Sequence, residues 1–161
     1  MDTDTFEEII NNQWEQMHGL IIPNQRFFEP TDMFWIELNK LDVMMFIDCG
    51  AGDGHVAAEA TERGFRMGAC DIARRECHVG VEVQPMPAHR MPFNSEIWPL
   101  VCRPDHGGWV EHLFIRAMEK GSGFIYVGHS EKLEHDVGNN HYNMRADSVG
   151  QENEEMFVWL P

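Results

Sequence analysis

The stretch Phe46-Ile47-Asp48-Cys49-Gly50-Ala51-Gly52-Asp53-Gly54-His55 is the first place where residue types and spacing suggest chemistry. Glycines let a backbone turn tightly and approach a ligand closely, and a helix that follows offers unpaired N–H groups at its start. Asp48, Gly50, Ala51, Gly52 and Gly54 therefore read as a ligand cradle, the plainer alternative being a tight strand-to-helix turn. The spacing argues against a nicotinamide cofactor: the third glycine of G-x-G-x-x-G would fall at His55. A second group lies in Cys102-Arg103-Pro104-Asp105-His106-Gly107-Gly108. There Asp105 or His106 could take a proton from a nucleophile, and Arg103 could pair with a substrate carboxylate or phosphate. Against these stand an Asp105 that caps the next helix and an Arg103 that pairs with an acid. The nine histidines are scattered without a tight ligand spacing, so no bound metal is expected. The four cysteines include no Cys-x-x-Cys pair, and neither a disulfide framework nor a zinc ribbon is indicated.

These groups need a scaffold, and hydrophobic periodicity supplies one. Phe6, Ile9, Ile10, Trp14 and Met17 recur at helical spacing behind Asp4, and Thr31 to Lys40 reads as a second helix. Val43 to Ile47 is a continuous apolar run of the kind that forms a strand buried on both faces. After it come an Ala-rich helix (Val56 to Arg63), strands at Arg66 to Cys70, Val79 to Val83 and Leu100 to Cys102, a helix from Trp109 to Lys120, and a strand at Phe124 to Val127. Alternation at this spacing implies βαβ units. Glu131 to Glu155 reads as a polar tail before a last strand-like run, Met156 to Leu160.

In this register the chain resembles the class I, Rossmann-like, S-adenosylmethionine-dependent methyltransferases. Asp48 through Gly54 matches their acid-then-G-x-G-x-G motif, and Arg66-Met67-Gly68-Ala69-Cys70-Asp71 matches a second strand ending in an acid. Ala88-His89-Arg90-Met91-Pro92-Phe93 is similar to the family's D-A-x-x-L-P-F segment, and Arg116 to Val127 to its R-x-L-K-P-G-G turn into strand five. The match spans about residues 43–128. It implies an α/β fold with a mostly parallel twisted sheet, helices on both faces and an antiparallel C-terminal strand. It further implies S-adenosylmethionine as cofactor, with Asp71 on the ribose hydroxyls and Ala88 and His89 beside the adenine, and a substrate-facing role for Arg103, Asp105 and His106. The chain departs from the family at Pro87, where an adenine-reading Asp is usual, and at Pro99. The activity implied is methyl transfer to a small molecule or a protein side chain; the alternative is a degenerate methyltransferase-like domain that binds cofactor or partner without transfer.

Composition bounds the rest. In 161 residues, 27 Asp+Glu against 12 Lys+Arg give a net charge of −15, which disfavours nucleic acid as a partner. Ten Phe, five Trp and eleven Met supply a core for one compact domain. The expected division is an N-terminal helical segment, 1–42, on the lid or substrate side, and a cofactor domain, 43–161, with Phe27 and Phe28 as candidate lid contacts. No apolar run reaches the roughly 18 residues of a membrane span, and the acidic N-terminus does not look like a secretory signal. The expectation is a cytoplasmic protein with no membrane partner, whose partners are its substrate and a second copy of itself.

Overall fold

The computed structural model describes residues 3–17, 21–22, 28–75, 80–104 and 108–161. Helix α1 (Thr3–Met17) and helix α2 (Asp32–Asn39) precede the first long strand, with the short strand β1 (Ile21–Ile22) between them. Then follow β2 (Met45–Cys49), α3 (His55–Glu62), β3 (Met67–Asp71), β4 (Arg74–Arg75), β5 (Gln84–Pro85) and a 3-10 turn at Ala88–Arg90. The chain continues through β6 (Ile97–Cys102), α4 (Trp109–Glu119), β7 (Phe124–Gly128), α5 (Ser130–Val137), β8 (Met144–Ala146) and β9 (Glu155–Trp159).

Seven strands form one sheet in the order β5-β3-β2-β6-β7-β9-β8, and β1 pairs with β4 apart from it. From β5 to β7 every pairing is parallel, whereas β9 runs antiparallel to both β7 and β8. The architecture is thus the expected Rossmann-like α/β sheet with an antiparallel C-terminal strand. Parallel strands must be covered on both faces, and side-chain alternation does this. Phe46, Leu100, Ile125 and Val158 point to a core shared with Phe34, Trp35 and Leu38 of α2 and Val56, Ala57 and Ala60 of α3. Ile47, Val101, Phe124 and Phe157 point to the opposite core, under Val110, Leu113, Phe114 and Ala117 of α4 and Val137 of α5. Burying each such large side chain contributes about 1.5–3 kcal/mol. Substituting a short polar residue at Leu100, which is 0% exposed and central to the sheet, would break that packing first.

The differences from expectation have local causes. The first buried strand is Met45–Cys49, so Asp48 is held in the ladder, opposite Ala69 and Leu100. The third strand lies at Gln84–Pro85 rather than Val79 to Val83: Val81 and Val83 instead pack on the core beside α3. Val79 itself is outside the described residues. The polar tail contains α5 and β8. The helix is secured by Val137, 0% exposed, and by buried Asp136, whose Oδ2 accepts a 2.6 Å hydrogen bond from the Tyr126 hydroxyl. Strand β8 is an edge strand with exposed Met144 and Arg145, so it lacks the alternation that marks a half-buried strand. No helix among the described residues is long and apolar enough to cross a membrane.

Candidate functional site

Chain order reverses across the sheet between β2 and β6, and the carboxyl edge at such a reversal is where open α/β sheets bind ligands. A cavity of about 250 Å³ opens there. Its floor comes from the glycine turn. The Gly50 and Ala51 N–H groups donate to the Cys70 carbonyl at 2.9 and 3.0 Å, which draws the turn across the end of β3. The Gly52 N–H donates to Asp71 Oδ2 at 3.0 Å, and the Ala73 N–H to Oδ1 at 2.9 Å. These two backbone amides orient the Asp71 carboxylate at the cavity wall. Gly54 stands behind the lining as the N-cap of α3 at φ 83°, and a Cβ there would sit 2.7 Å from Val81 Cγ1. Both the left-handed backbone and the lack of space require glycine.

Asp48, Asp53 and Asp71 are all buried, at 2%, 2% and 7% exposure. Burial, followed by the charges of Asp71 and Asp53, pushes the Asp48 carboxyl from 3.8 up to about 8. A buried group of acids is a poor place for an anion and a good one for a cation. His55 bridges this floor to the chain before α2: its Nδ1 lies 2.8 Å from Asp53 Oδ1 and its Nε2 lies 2.7 Å from the Phe28 carbonyl oxygen. Of the two candidate lid contacts, Phe28 lines the cavity and Phe27 is outside the described residues. The strap 28–31 is tied in turn to the loop before β9, through Thr31 N–H to the Val149 carbonyl and Gln151 N–H to the Glu29 carbonyl, both 2.9 Å.

Helix α1 forms the opposite wall, with Phe6 and Ile10 on the cavity and Ile9, expected on the same face, 39% exposed. Polar contacts fasten it. Arg116 Nε donates to Glu7 Oε1 at 2.6 Å and Nη2 to Asp4 Oδ1 at 3.0 Å, His112 Nε2 lies 3.1 Å from Glu7 Oε1, and Trp14 Nε1 donates to the Pro85 carbonyl at 2.5 Å. Burial raises the Glu7 carboxyl, but the Arg116 hydrogen bond and the charges of His89, Arg116 and His112 outweigh it and hold the carboxyl below its ordinary value. Burial lowers both His89 and His112. Their rings lie 5.8 Å apart, and Phe6 stacks 4.9 Å from His112.

Of the residues singled out in the sequence, Asp48, Gly50, Ala51, Gly52, Asp71, Ala88, His89 and Arg103 all line this one cavity. Asp105 and His106 are outside the described residues. The Arg103 guanidinium donates to Glu152 Oε2 at 2.7 Å and lies 3.7 Å from Glu154 Oε2, so an anionic substrate would compete with two carboxylates for it. Sequence reasoning missed Trp109, Ile72 and Met86 in the lining, along with the roles of His55, Glu7 and His112. Trp109 lies close over the turn, since a Cβ on Gly50 would be 3.2 Å from its Cη2. No group of three or more His, Cys, Asp or Glu among the described residues is placed to hold a metal ion.

No family model matches the chain, and no curated protein sequence matches it. Solved structures do. The chain is similar to the Escherichia coli protein yhhF, provisionally named a methyltransferase, with a TM-score of 0.52 and 14% identity over 81% of this chain and 85% of that one. Human N-acetylserotonin methyltransferase, solved with S-adenosylmethionine, aligns with a TM-score of 0.45 and 10% identity over 99% of this chain and 57% of that one. The likeness to yhhF is one of fold alone.

Proposed function

We propose that the chain is an S-adenosylmethionine-dependent methyltransferase that acts on a small molecule or a protein side chain. The observation that supports this most is the meeting of the glycine turn with Asp71 at the point of strand reversal, where the Gly52 N–H holds the carboxylate at 3.0 Å. An acid so placed suits a ribose diol, because one carboxylate can accept from two vicinal hydroxyls. The residues also fit the cofactor's charge: Asp71 lines the cavity and suits a sulfonium with an ammonium group, and a cation bound beside Asp48 would favour release of its proton. When bound, S-adenosylmethionine supplies a methyl group already activated for transfer, with a neutral thioether as leaving group. The protein's task is then positioning and exclusion of water. Ile72, Met86 and Trp109 contribute apolar surface to the cavity, and Phe28, Arg103 and Pro104, which also line it, are the residues we assign to the acceptor. Arg103 orients that acceptor, and Asp105 or His106 takes its proton where one must leave. The net charge of −15 favours a neutral or cationic acceptor.

A second reading, cofactor binding without transfer, is favoured by Pro87, which has neither a side-chain acceptor nor an N–H, and by the engagement of Arg103 with Glu152. Calorimetric titration with S-adenosylmethionine, S-adenosylhomocysteine and NAD separates the classes. Binding of both sulfur compounds and not of NAD is expected, and absence of heat with either sulfur compound sinks the reading. Radiolabelled methyl transfer to candidate acceptors then divides enzyme from binding module.

A further inference from the structure

Helix α1 walls the cavity, yet neither core holds it. None of the side chains described on α1, residues 4–16, is buried, and both cores are built without them. Its fastening is a polar seam against α4 and the turn Ala88–Arg90. Glu7 Oε1 accepts the Arg116 Nε hydrogen bond at 2.6 Å and lies 3.1 Å from His112 Nε2, while Asn11 Oδ1 accepts from Arg90 Nε at 3.2 Å. The Arg90 guanidinium also sits 4.7 Å from the Trp14 ring. Within this seam the His89 ring stands 5.8 Å from that of His112. His89 Nε2 is buried and has no hydrogen-bond partner. A neutral ring can leave one nitrogen as an idle acceptor, whereas a protonated ring puts a charged N–H there with nothing to receive it.

We propose that α1 is a lid on the cavity and that protonation of His89 and His112 releases it. The lid and its trigger are independent of which ligand the cavity takes. The charges that face the two rings are Glu7 and Asp4 from α1, Arg116 and Glu119 from α4, and Arg90 from the turn itself. Asp4 is 94% exposed and Glu119 53%, which leaves Glu7 as the acid placed to answer a new positive charge, and Arg116 already bonds to it. Burial holds both histidines below their ordinary 6.5 while α1 is docked. Releasing α1 uncovers the rings, so the released state binds more protons and docking weakens as pH falls below about 6.5. Glu7 acts in the same sense further down. Its carboxyl is held below 4.5 by the docked seam, so docking loses that contribution as pH falls through this range. The floor responds to acid in the opposite sense, because Asp48 holds its proton up to about pH 8. Release is therefore local: it withdraws Phe6 and Ile10 from the cavity and leaves the sheet folded.

Amide hydrogen exchange of the whole chain, read by mass spectrometry and corrected for the intrinsic pH dependence of exchange, tests the lid. In wild type the exchange of residues 4–16 is expected to rise about 3- to 10-fold on going from about pH 7.5 to about 5.5, with that of β2, β6 and β7 unchanged. The double variant His89→Gln/His112→Gln, uncharged there at both pH values, is expected to lose most of that rise. The proposal is overturned if the wild-type rise is absent, if the sheet exchanges faster along with α1, or if the double variant keeps the rise. Should the double variant leave α1 released at both pH values, the single variant His112→Gln decides, since its amide can still donate to Glu7. A rise smaller than that of wild type then supports the lid, and an equal rise, or release at both values, overturns it.

Discussion

On the floor of the cavity, main-chain amides of Gly50, Ala51 and Gly52 bond to Cys70 and Asp71, and the acids involved are buried. On the α1 wall, the bonds run between side chains, with Arg116 25% exposed and its partner Asp4 94% exposed. The floor is set by backbone geometry and dry electrostatics, which salt hardly screens. The wall is set by charges in contact with water, which contribute little individually and weaken as ionic strength rises. Substitutions on the two sides should therefore differ in size, in pH dependence and in salt dependence.

The largest effect is expected at Asp48. The folded carboxyl holds its proton up to about pH 8, whereas the unfolded one releases it near 3.8, so the native state binds more protons between these values. Wild type then loses stability as pH rises through that window, while Asp48→Asn has no such loss. The stability difference should move in favour of the variant by an amount on the order of several kcal/mol and level off above about pH 8. Urea unfolding at a series of pH values measures it, and a flat difference would remove the buried-acid part of the contrast. Next is Asp71→Ala, expected to weaken S-adenosylhomocysteine binding by roughly 100-fold or more through loss of two charge-assisted hydrogen bonds. Binding within a few-fold of wild type would show that the ribose does not rest there. Gly54→Ala should lower stability by about 1–3 kcal/mol, from strain at φ 83° and the approach to Val81, read as a lower denaturant midpoint. The smallest effect belongs to the wall. Arg116→Ala should weaken ligand binding only about two-fold in low salt, with the gap closing near roughly 0.5 M sodium chloride. A salt-independent loss would mean that α1 is held by its apolar face instead.

The same contrast governs what could be read from the sequence. The floor was legible because its parts are contiguous: a buried apolar run, glycines at defined offsets, and an acid at the end of the next strand. Glycine spacing reports a backbone need that no other residue meets, so Gly50, Gly52 and Gly54 announced the turn. The wall was not legible, because Glu7 meets residues 105 and 109 positions away, and nothing local in an acidic amphipathic helix names its partners. Helix α5 escaped for a related reason. Its burial includes Asp136, which would look solvent-facing but for the hydroxyl of Tyr126. His55 was visible only as the residue ending the glycine motif, and its bond to Phe28 depends on a tertiary approach.

That approach also orders events in time. Besides His55, the strap 28–31 has partners in Ser148, Val149 and Gln151, more than a hundred positions further along the chain, as in the 2.7 Å bond from Thr31 Oγ1 to the Ser148 carbonyl, 117 residues away. Closing a loop of that length costs more chain entropy than closing the 27-residue loop to His55. A growing chain can therefore complete the strap that carries Phe28 only once the loop before β9 has been synthesised.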